Sequence, residues 1–379
     1  MSEITKLPLA HQTMFADLAA RCLDAAFDEQ LPENGSFVHM VSRGRSYWYY
    51  SSYAPAPAGG QGTRRKLYVG PADDPVIASR VAAFAGIKAG YRERRQMVQS
   101  LVAIGLPSPV GLVGDVTELL WKAGLFRLRG VIVGTLAFQC YAGLLGVRMQ
   151  GSSLMTADAD FAQFHSISSA VGDAMPPVLD VLRSRDPTFR PITHTADRLA
   201  ATKFRNATGF EVEFLTPNRG SDVHQGKPAV MPALGGAAAE PLRFLDFLIR
   251  FPVRSVLLHK AGVPVTIPAP ERYGVHKLIV ATRRRGDADG RRKAAKDALQ
   301  AGMLFEALAQ EGRSVDAGLA WMEAWSRGPT WREALSEGRV RLSLSASETL
   351  LQAIVQACAE EGSDPAAFGV GNGWHADAS

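Results

Sequence analysis

Residues 131–161 read VIVGTLAFQCYAGLLGVRMQGSSLMTADADF, and this stretch most constrains what the chain can become. An apolar run, Val131-Ile132-Val133, stops at Gly134-Thr135, and a small-residue and aromatic stretch follows to Leu145. A second segment ends in Asp158-Ala159-Asp160. Side chains alternate along an extended strand, so one intervening residue puts both carboxylates on the same face. Two carboxylates held that close repel one another and are stable mainly when a cation lies between them. A buried strand ending in Gly-Thr beside a strand with paired aspartates is what a metal–nucleotide site needs.

The same stretch raises one competing reading. Gly130 to Val147 carries no charge and is flanked by Arg129 and Arg148, which just reaches the lower limit for a membrane span. It also contains four glycines together with Thr135, Gln139 and Tyr141, and Gly134-Thr135 interrupts it near one end. A buried strand followed by a buried helix is the expectation, with no membrane partner. The N-terminal residues MSEITKLPLAHQTM lack a charged-then-apolar leader pattern, so a cytoplasmic protein is expected.

At 379 residues the chain is too long for one ordinary core, and two or three domains are expected. Apolar content of 46% against 21% charged excludes a disordered chain. A net charge of +5 permits a nucleotide or RNA partner without requiring one. Cys22, Cys140 and Cys358 are far apart and form no CxxC pair, which argues for buried, reduced thiols and against a zinc site or a disulfide framework.

Periodicity predicts an α+β protein. A helical stripe covers residues 9–29. Residues 36–41 and 46–51 form a hairpin, a Pro/Gly loop covers 54–62, and a third strand covers 64–69. Helices are expected over 74–106 and 113–123, and a mostly helical segment over 161–183. Phe210-Glu211-Val212-Glu213-Phe214 alternates strictly and reads as a strand. The Gly-, Pro- and Ala-rich residues 218–239 read as a loop. A helix over 242–251 and strands over 253–258 and 263–267 follow. Helices are expected over 270–283 and 293–310, then two or three more over 313–360. The division expected is 1–95 (helix and small β unit), 96–235 (a mixed-sheet core) and 236–379 (mostly helical).

A third acid is sought beside Asp158 and Asp160. Glu213, next to Phe214-Leu215, is preferred, and Glu211 on the same face is the alternative. All-oxygen ligation favours Mg2+ or Mn2+. The basic run Arg283-Arg284-Arg285 with Arg291-Arg292-Lys293 brackets a Gly-Asp-Ala-Asp-Gly loop, a mobile charged segment or an RNA contact. Tyr47-Trp48-Tyr49-Tyr50 invites a base-stacking reading, although aromatic residues favour strands for packing alone. The chain has no GxxxxGK[ST] loop, no GxGxxG turn opening a strand–helix unit and no GxSxG elbow.

Gly134-Thr135, Asp158-x-Asp160 and apolar-Glu213-apolar together resemble the polymerase-β-type nucleotidyltransferase superfamily. The likeness is strongest to a bacterial branch with Gly35 to Val38, Tyr47 to Tyr50, Tyr68 to Pro71, Thr156 to Asp160, Phe214 to Pro217, His276 to Leu278 and Lys296 to Ala301 in this order. The resemblance covers roughly residues 35–310. It implies a mixed-sheet nucleotidyltransferase core, with Gly134 and Thr135 cradling phosphates and Asp158 and Asp160 holding magnesium. Glu213 takes the third position. An NTP such as ATP is the implied donor, in a two-metal reaction, and an RNA, a protein or a small molecule the acceptor. Basic side chains are expected on the triphosphate, with Arg272, His276, Lys277 and Lys296 as the nucleotide-binding candidates. The Gly-to-Asp interval is longer than in compact members, with Gly-Ser-Ser at 151–153. The alternative is a module of the same fold that binds nucleotide or nucleic acid without turnover.

Overall fold

The computed structural model describes residues 4–25, 36–42, 45–54, 63–149, 158–170, 173–192, 201–218, 227–371 and 374. In chain order the first elements are β1 (Ile4–Lys6), α1 (Leu9–Ala25), β2 (Ser36–Ser42), β3 (Arg45–Ala54), β4 (Thr63–Pro71), α2 (Pro75–Ala103) and α3 (Leu112–Lys122). The middle of the chain forms β5 (Val131–Val133), α4 (Gly134–Leu144), β6 (Val147–Met149), β7 (Asp158–Ala162), α5 (His165–Ala170), α6 (Val178–Arg183), β8 (Arg190–Ile192), β9 (Lys203–Arg205) and β10 (Glu211–Pro217). Then come β11 (Ala229–Val230), β12 (Ala238–Leu242), α7 (Leu245–Ile249), β13 (Val253–Leu257), β14 (Val263–Ile267) and α8 (Pro270–Thr282). The last long helices are α9 (Ala288–Gln310), α10 (Ser314–Ser326), α11 (Pro329–Arg339) and α12 (Leu344–Glu361).

The architecture is α+β, as the periodicity predicts. A seven-stranded mixed sheet runs β11-β12-β10-β7-β5, with β9 on β10 and β8 on β9. β7 and β10 are parallel, β5 is antiparallel to β7, and β9 is antiparallel to the first half of β10. β12 takes over the same edge of β10 further along, in parallel register. One apolar cluster joins this sheet to α1, α4 and the C-terminal helices, from Leu18 through Phe138, Phe161 and Phe214 to Trp321 and Ile354. Residue 95 falls within α2 and residue 235 between the paired strands β11 and β12, so both expected boundaries lie inside continuous structure.

The uncharged stretch becomes β5, α4 and β6 rather than one helix. Among the described residues no helix is long and apolar enough to cross a membrane. Cys22, Cys140 and Cys358 are free and buried.

Two local expectations need correction. The segment 218–239 is not all loop: it holds β11, a 3-10 turn at Pro232–Leu234 and the start of β12. These elements are built from buried alanines (Ala229, Ala238 and Ala239), which carry little β-branched or aromatic signal. The Asp-Ala-Asp-Gly stretch after Gly286 is not a mobile loop throughout, because α9 begins at Ala288. Asp287 caps it by accepting from Gly290 N at 2.7 Å, which satisfies one of the unpaired first-turn amides. In the three-stranded sheet β2-β3-β4, Tyr50 is fully buried with its ring 5.1 Å from Phe37, and Trp48 packs on Phe37 and His39. These contacts accord with the strand preference that aromatic residues have for packing alone.

Candidate active site

Strand register brings the acids together. Val133, Asp160 and Glu213 are directly opposite one another across β5, β7 and β10, and Asp158 is opposite Glu211 one step along. Alternation sends Ala159, Phe161, Val212 and Phe214 to the other face, where they are buried and the two phenylalanine rings stack at 5.9 Å. The apolar face anchors the sheet in the core, so the acidic face has a fixed orientation: a one-residue slip would bury the carboxylates.

Gly134 closes this row from below. It has φ +64, a backbone that non-glycine residues avoid, and a Cβ built there would lie 2.5 Å from Asp160 Oδ2. Two separate requirements, a left-handed turn and close approach of the carboxylate, therefore call for glycine. Gly134 also starts α4, whose first-turn N–H groups have no intrahelical partners and carry the positive end of the helix dipole. Thr135 is half-buried in that first turn. The turn is held from above by α8, where the Tyr273 hydroxyl donates to the Gly134 carbonyl at 2.8 Å. Gly134→Ala is expected to cost about 1–3 kcal/mol of stability, from backbone strain and displacement of Asp160. A thermal melt measures this, and an unchanged melting temperature would contradict the close approach.

The electrostatics of the row are unfavourable for a protein on its own. Burial, then Glu213, then Asp158 push the Asp160 carboxyl up to about 7. Burial and Glu211 raise Asp158, and burial raises Glu213 despite its partner Lys203. Lys203 on β9 faces Glu213 in register, with Nζ 3.1 Å from Oε1, and Arg205 pairs with Glu211 in the same way. Neither cation was singled out from the sequence. The signal was there: Lys203-Phe204-Arg205 and Glu211-Val212-Glu213 are charge-complementary alternating triplets around the Asn206–Gly209 turn, which Asn206 Oδ1 ties by accepting from Phe210 N at 2.8 Å.

The four basic or imidazole candidates divide. Lys277 is buried on α8, its Nζ 2.6 Å from Asp297 Oδ1, and its charge acts on Asp160. Lys296 lies half-buried on α9, within electrostatic range of Asp158. His276 is pushed down to about 3 by burial and by Lys277, so it is neutral at physiological pH and offers no charge to a phosphate. Arg272 is buried elsewhere. It donates to the Phe247 carbonyl at 3.0 Å, pairs with Glu323 and stacks over Phe247 and Phe251. It is a tie between α7, α8 and α10 and touches none of the acids.

Asp297, next to Lys296 on α9, is 2% exposed and bonded to both Lys277 and Arg284. Burial works against its charge, but Lys277 and Arg284 outweigh that and hold the carboxyl below its ordinary value.

All-oxygen donors with raised proton affinity fit a hard divalent cation. A second cluster could be mistaken for such a site. Among the described residues, Asp115, Glu118 and His259 place ligand atoms within 4.8 Å of one another. Lys260 Nζ already lies 2.9 Å from Asp115 Oδ1, and Arg185 and Lys122 complete the set. Three cations around two carboxylates leave no charge for a metal to neutralise. The hydrogen bonds from Lys260, Arg185 and His259 outweigh burial and hold Asp115 well below the carboxylate range.

A family model described as Nucleotidyltransferase matches residues 111–326, which is more than half of the chain and includes β5, β7, β10, α8 and α9. The chain belongs to this nucleotidyltransferase family. None of the curated proteins matches this family member. Among solved structures, an antigenic nucleotidyltransferase-like protein from Paracoccidioides brasiliensis aligns at 15% identity and a TM-score of 0.29, covering 61% of this chain and 95% of that one.

Proposed function

We propose that the protein transfers a nucleoside monophosphate group from an NTP to an acceptor hydroxyl, and that Asp158 and Asp160 hold Mg2+ or Mn2+. The observation that carries this is the single row Val133–Asp160–Glu213 with Gly134 and the start of α4 directly beneath Asp160. In the reaction, the acceptor oxygen bonds to the α-phosphorus and the bond from that phosphorus to the pyrophosphate oxygen breaks. The acceptor proton goes to a carboxylate; the upward shift that burial gives Glu213 supports that residue in the role. When bound, divalent cations would neutralise charge on the attacking and leaving oxygens. The chain's own contribution is positioning. The first-turn amides of α4 at Gly134 and Thr135 favour phosphate oxygens. Lys277 and Lys296 supply positive charge on the α8–α9 side of the acids. Arg272 and His276 are left out of this role by their surroundings.

The test is incubation with each α-labelled NTP, Mg2+ and a cell lysate. Labelled product is expected, and it should disappear with Asp158→Ala and Asp160→Ala. Activity surviving in both variants, or nucleotide binding with no labelled product from any NTP, would overturn the catalytic reading in favour of a binding module.

A pH dependence follows from the sign of the Asp160 shift. A carboxyl raised to about 7 keeps its proton below that pH, so a cation must displace it. Apparent Mg2+ affinity is expected to fall by about tenfold per pH unit on going below 7, the signature of one released proton, and to level off above it. Calorimetry in buffers of different ionisation heat measures that proton, and a pH-independent affinity from 5.5 to 8 would contradict it.

A further inference from the structure

We infer that Tyr273 is a positioning residue of the transfer reaction: it fixes the Gly134 turn, and with it the first turn of α4, relative to the Lys277 charge, and is itself set by Gln300 on α9. This rests on the reading that phosphate oxygens meet the first turn of α4 and that Lys277 acts beside Asp160.

Tyr273 and Lys277 are one turn apart on α8, and Asp297 and Gln300 are one turn apart on α9. The four side chains meet in two layers across the seam between these helices. In one layer Lys277 Nζ lies 2.6 Å from Asp297 Oδ1. In the other, the Tyr273 hydroxyl lies 2.8 Å from the Gly134 carbonyl and 3.2 Å from Gln300 Oε1. The layers touch, because Lys277 Nζ is also 5.2 Å from the centre of the Tyr273 ring. All four side chains are buried.

The hydroxyl has a single proton, and the shorter of its two contacts is the one to the turn. Burial, then Asp297, then Asp160 push this phenol well above its ordinary pKa, so the proton stays on the oxygen and remains available for donation. The ring makes a second contact with the same helix. It stacks on Phe138 with centroids 6.0 Å apart and meets Tyr141 edge-on at 5.2 Å. Phe138 follows Gly134 by one helical turn, so Tyr273 grips α4 at its first carbonyl and again one turn later. Two grips fix the rotation of α4 about its own axis as well as its position, and that rotation aims the first-turn N–H groups. Aim matters because a shift of about 1 Å at a reacting centre can cost roughly a hundredfold in rate.

Tyr273→Phe keeps the ring and removes the hydroxyl. It is expected to lower the labelling rate at saturating NTP by about 10- to 100-fold. Affinity for an α,β-methylene NTP with Mg2+ is expected to change by less than about threefold, because the turn is misaimed rather than lost. Tyr141→Phe is the control. It removes a hydroxyl bond of the same 2.8 Å length from the same buried aromatic group, but one made to the Pro268 carbonyl. A comparable drop in melting temperature is expected there, with the labelling rate held within about twofold. Gln300→Leu is expected to lower the rate by about threefold or more, and to add nothing in the Tyr273→Phe background, since it acts through that hydroxyl. A full rate in Tyr273→Phe, a loss confined to NTP affinity, an equal loss in Tyr141→Phe, or additive effects of the Tyr273 and Gln300 substitutions would overturn the inference. Amide hydrogen exchange over residues 134–138 gives a readout that needs no turnover. Exchange there is expected to be about tenfold or more faster in Tyr273→Phe than in the parent or in Tyr141→Phe. That difference in a protein that labels nothing would defeat the transferase reading and leave Tyr273 as the anchor of the turn, whereas unchanged exchange would sink the anchor itself.

Discussion

Asp160→Asn is expected to lower nucleotidyl transfer at least ~10³-fold, about 4 kcal/mol of transition-state stabilisation, while making the metal-free protein more stable at pH 8. The two effects have one cause. Asp160 is largely withdrawn from solvent, opposite Glu213 and two positions from Asp158, so burial and both neighbouring carboxylates disfavour its charge. Its folded-state pKa is raised to about 7, so between its ordinary value near 3.8 and 7 the folded chain binds a proton that the unfolded chain releases. Stability of the metal-free protein is therefore highest at low pH within that window and declines as pH rises through it. Asparagine removes the charge and the decline, worth about 1–2 kcal/mol once solvent access to the carboxylate is allowed for. Thermal melts at pH 5 and pH 8, with and without Mg2+, separate the terms: only the unmodified chain should gain stability from Mg2+. A variant less stable than the parent at pH 8 without metal would show that Asp160 is a structural carboxylate.

Asp297→Ala is expected to destabilise the chain by about 3–5 kcal/mol. Asp297 is 2% exposed and Lys277, its partner at 2.6 Å, is 7% exposed, so the substitution strands a buried ammonium beside Arg284. The comparison that gives this its meaning is Lys277→Met with Asp297→Leu. Replacing a buried ion pair by apolar side chains is often neutral for stability, so this double variant should fold. It should nevertheless lose transfer, because the positive charge beside Asp160 is gone. Denaturant unfolding gives the first quantity and the labelled-NTP assay the second. Full activity in the folded double variant would confine Lys277 and Asp297 to packing α8 against α9.

Local pattern carried much of the site. Asp158-Ala159-Asp160 and Glu211-Val212-Glu213 follow the strand period of two, and that period alone places each pair of carboxylates on one face. Gly134 after three apolar β-branched residues marked a turn at a strand end, and the chain does turn there. What the pattern did not reveal was partnership. Lys203 on Glu213, Tyr273 on the Gly134 carbonyl and Asp297 on Lys277 join residues that are 10, 139 and 20 positions apart. Arg272 and Lys277 illustrate the limit. They are five residues apart on one helix and both cationic, yet the packing of α8 turns one to Glu323 and the other toward the acids.

The sequence by itself determined the alternation that makes an acidic face and an apolar face on β7 and β10, the break at Gly134, and the division into a mixed sheet and long helices. Those are short-range properties, set by side-chain period and backbone sterics. Only the tertiary structure decided which acid lies across from which, that Val133, Asp160 and Glu213 form one row, and which cations neutralise it. Register and burial depend on how the apolar faces of distant segments close into one core, and a carboxylate's chemistry follows from the charges and solvent that such closure leaves around it.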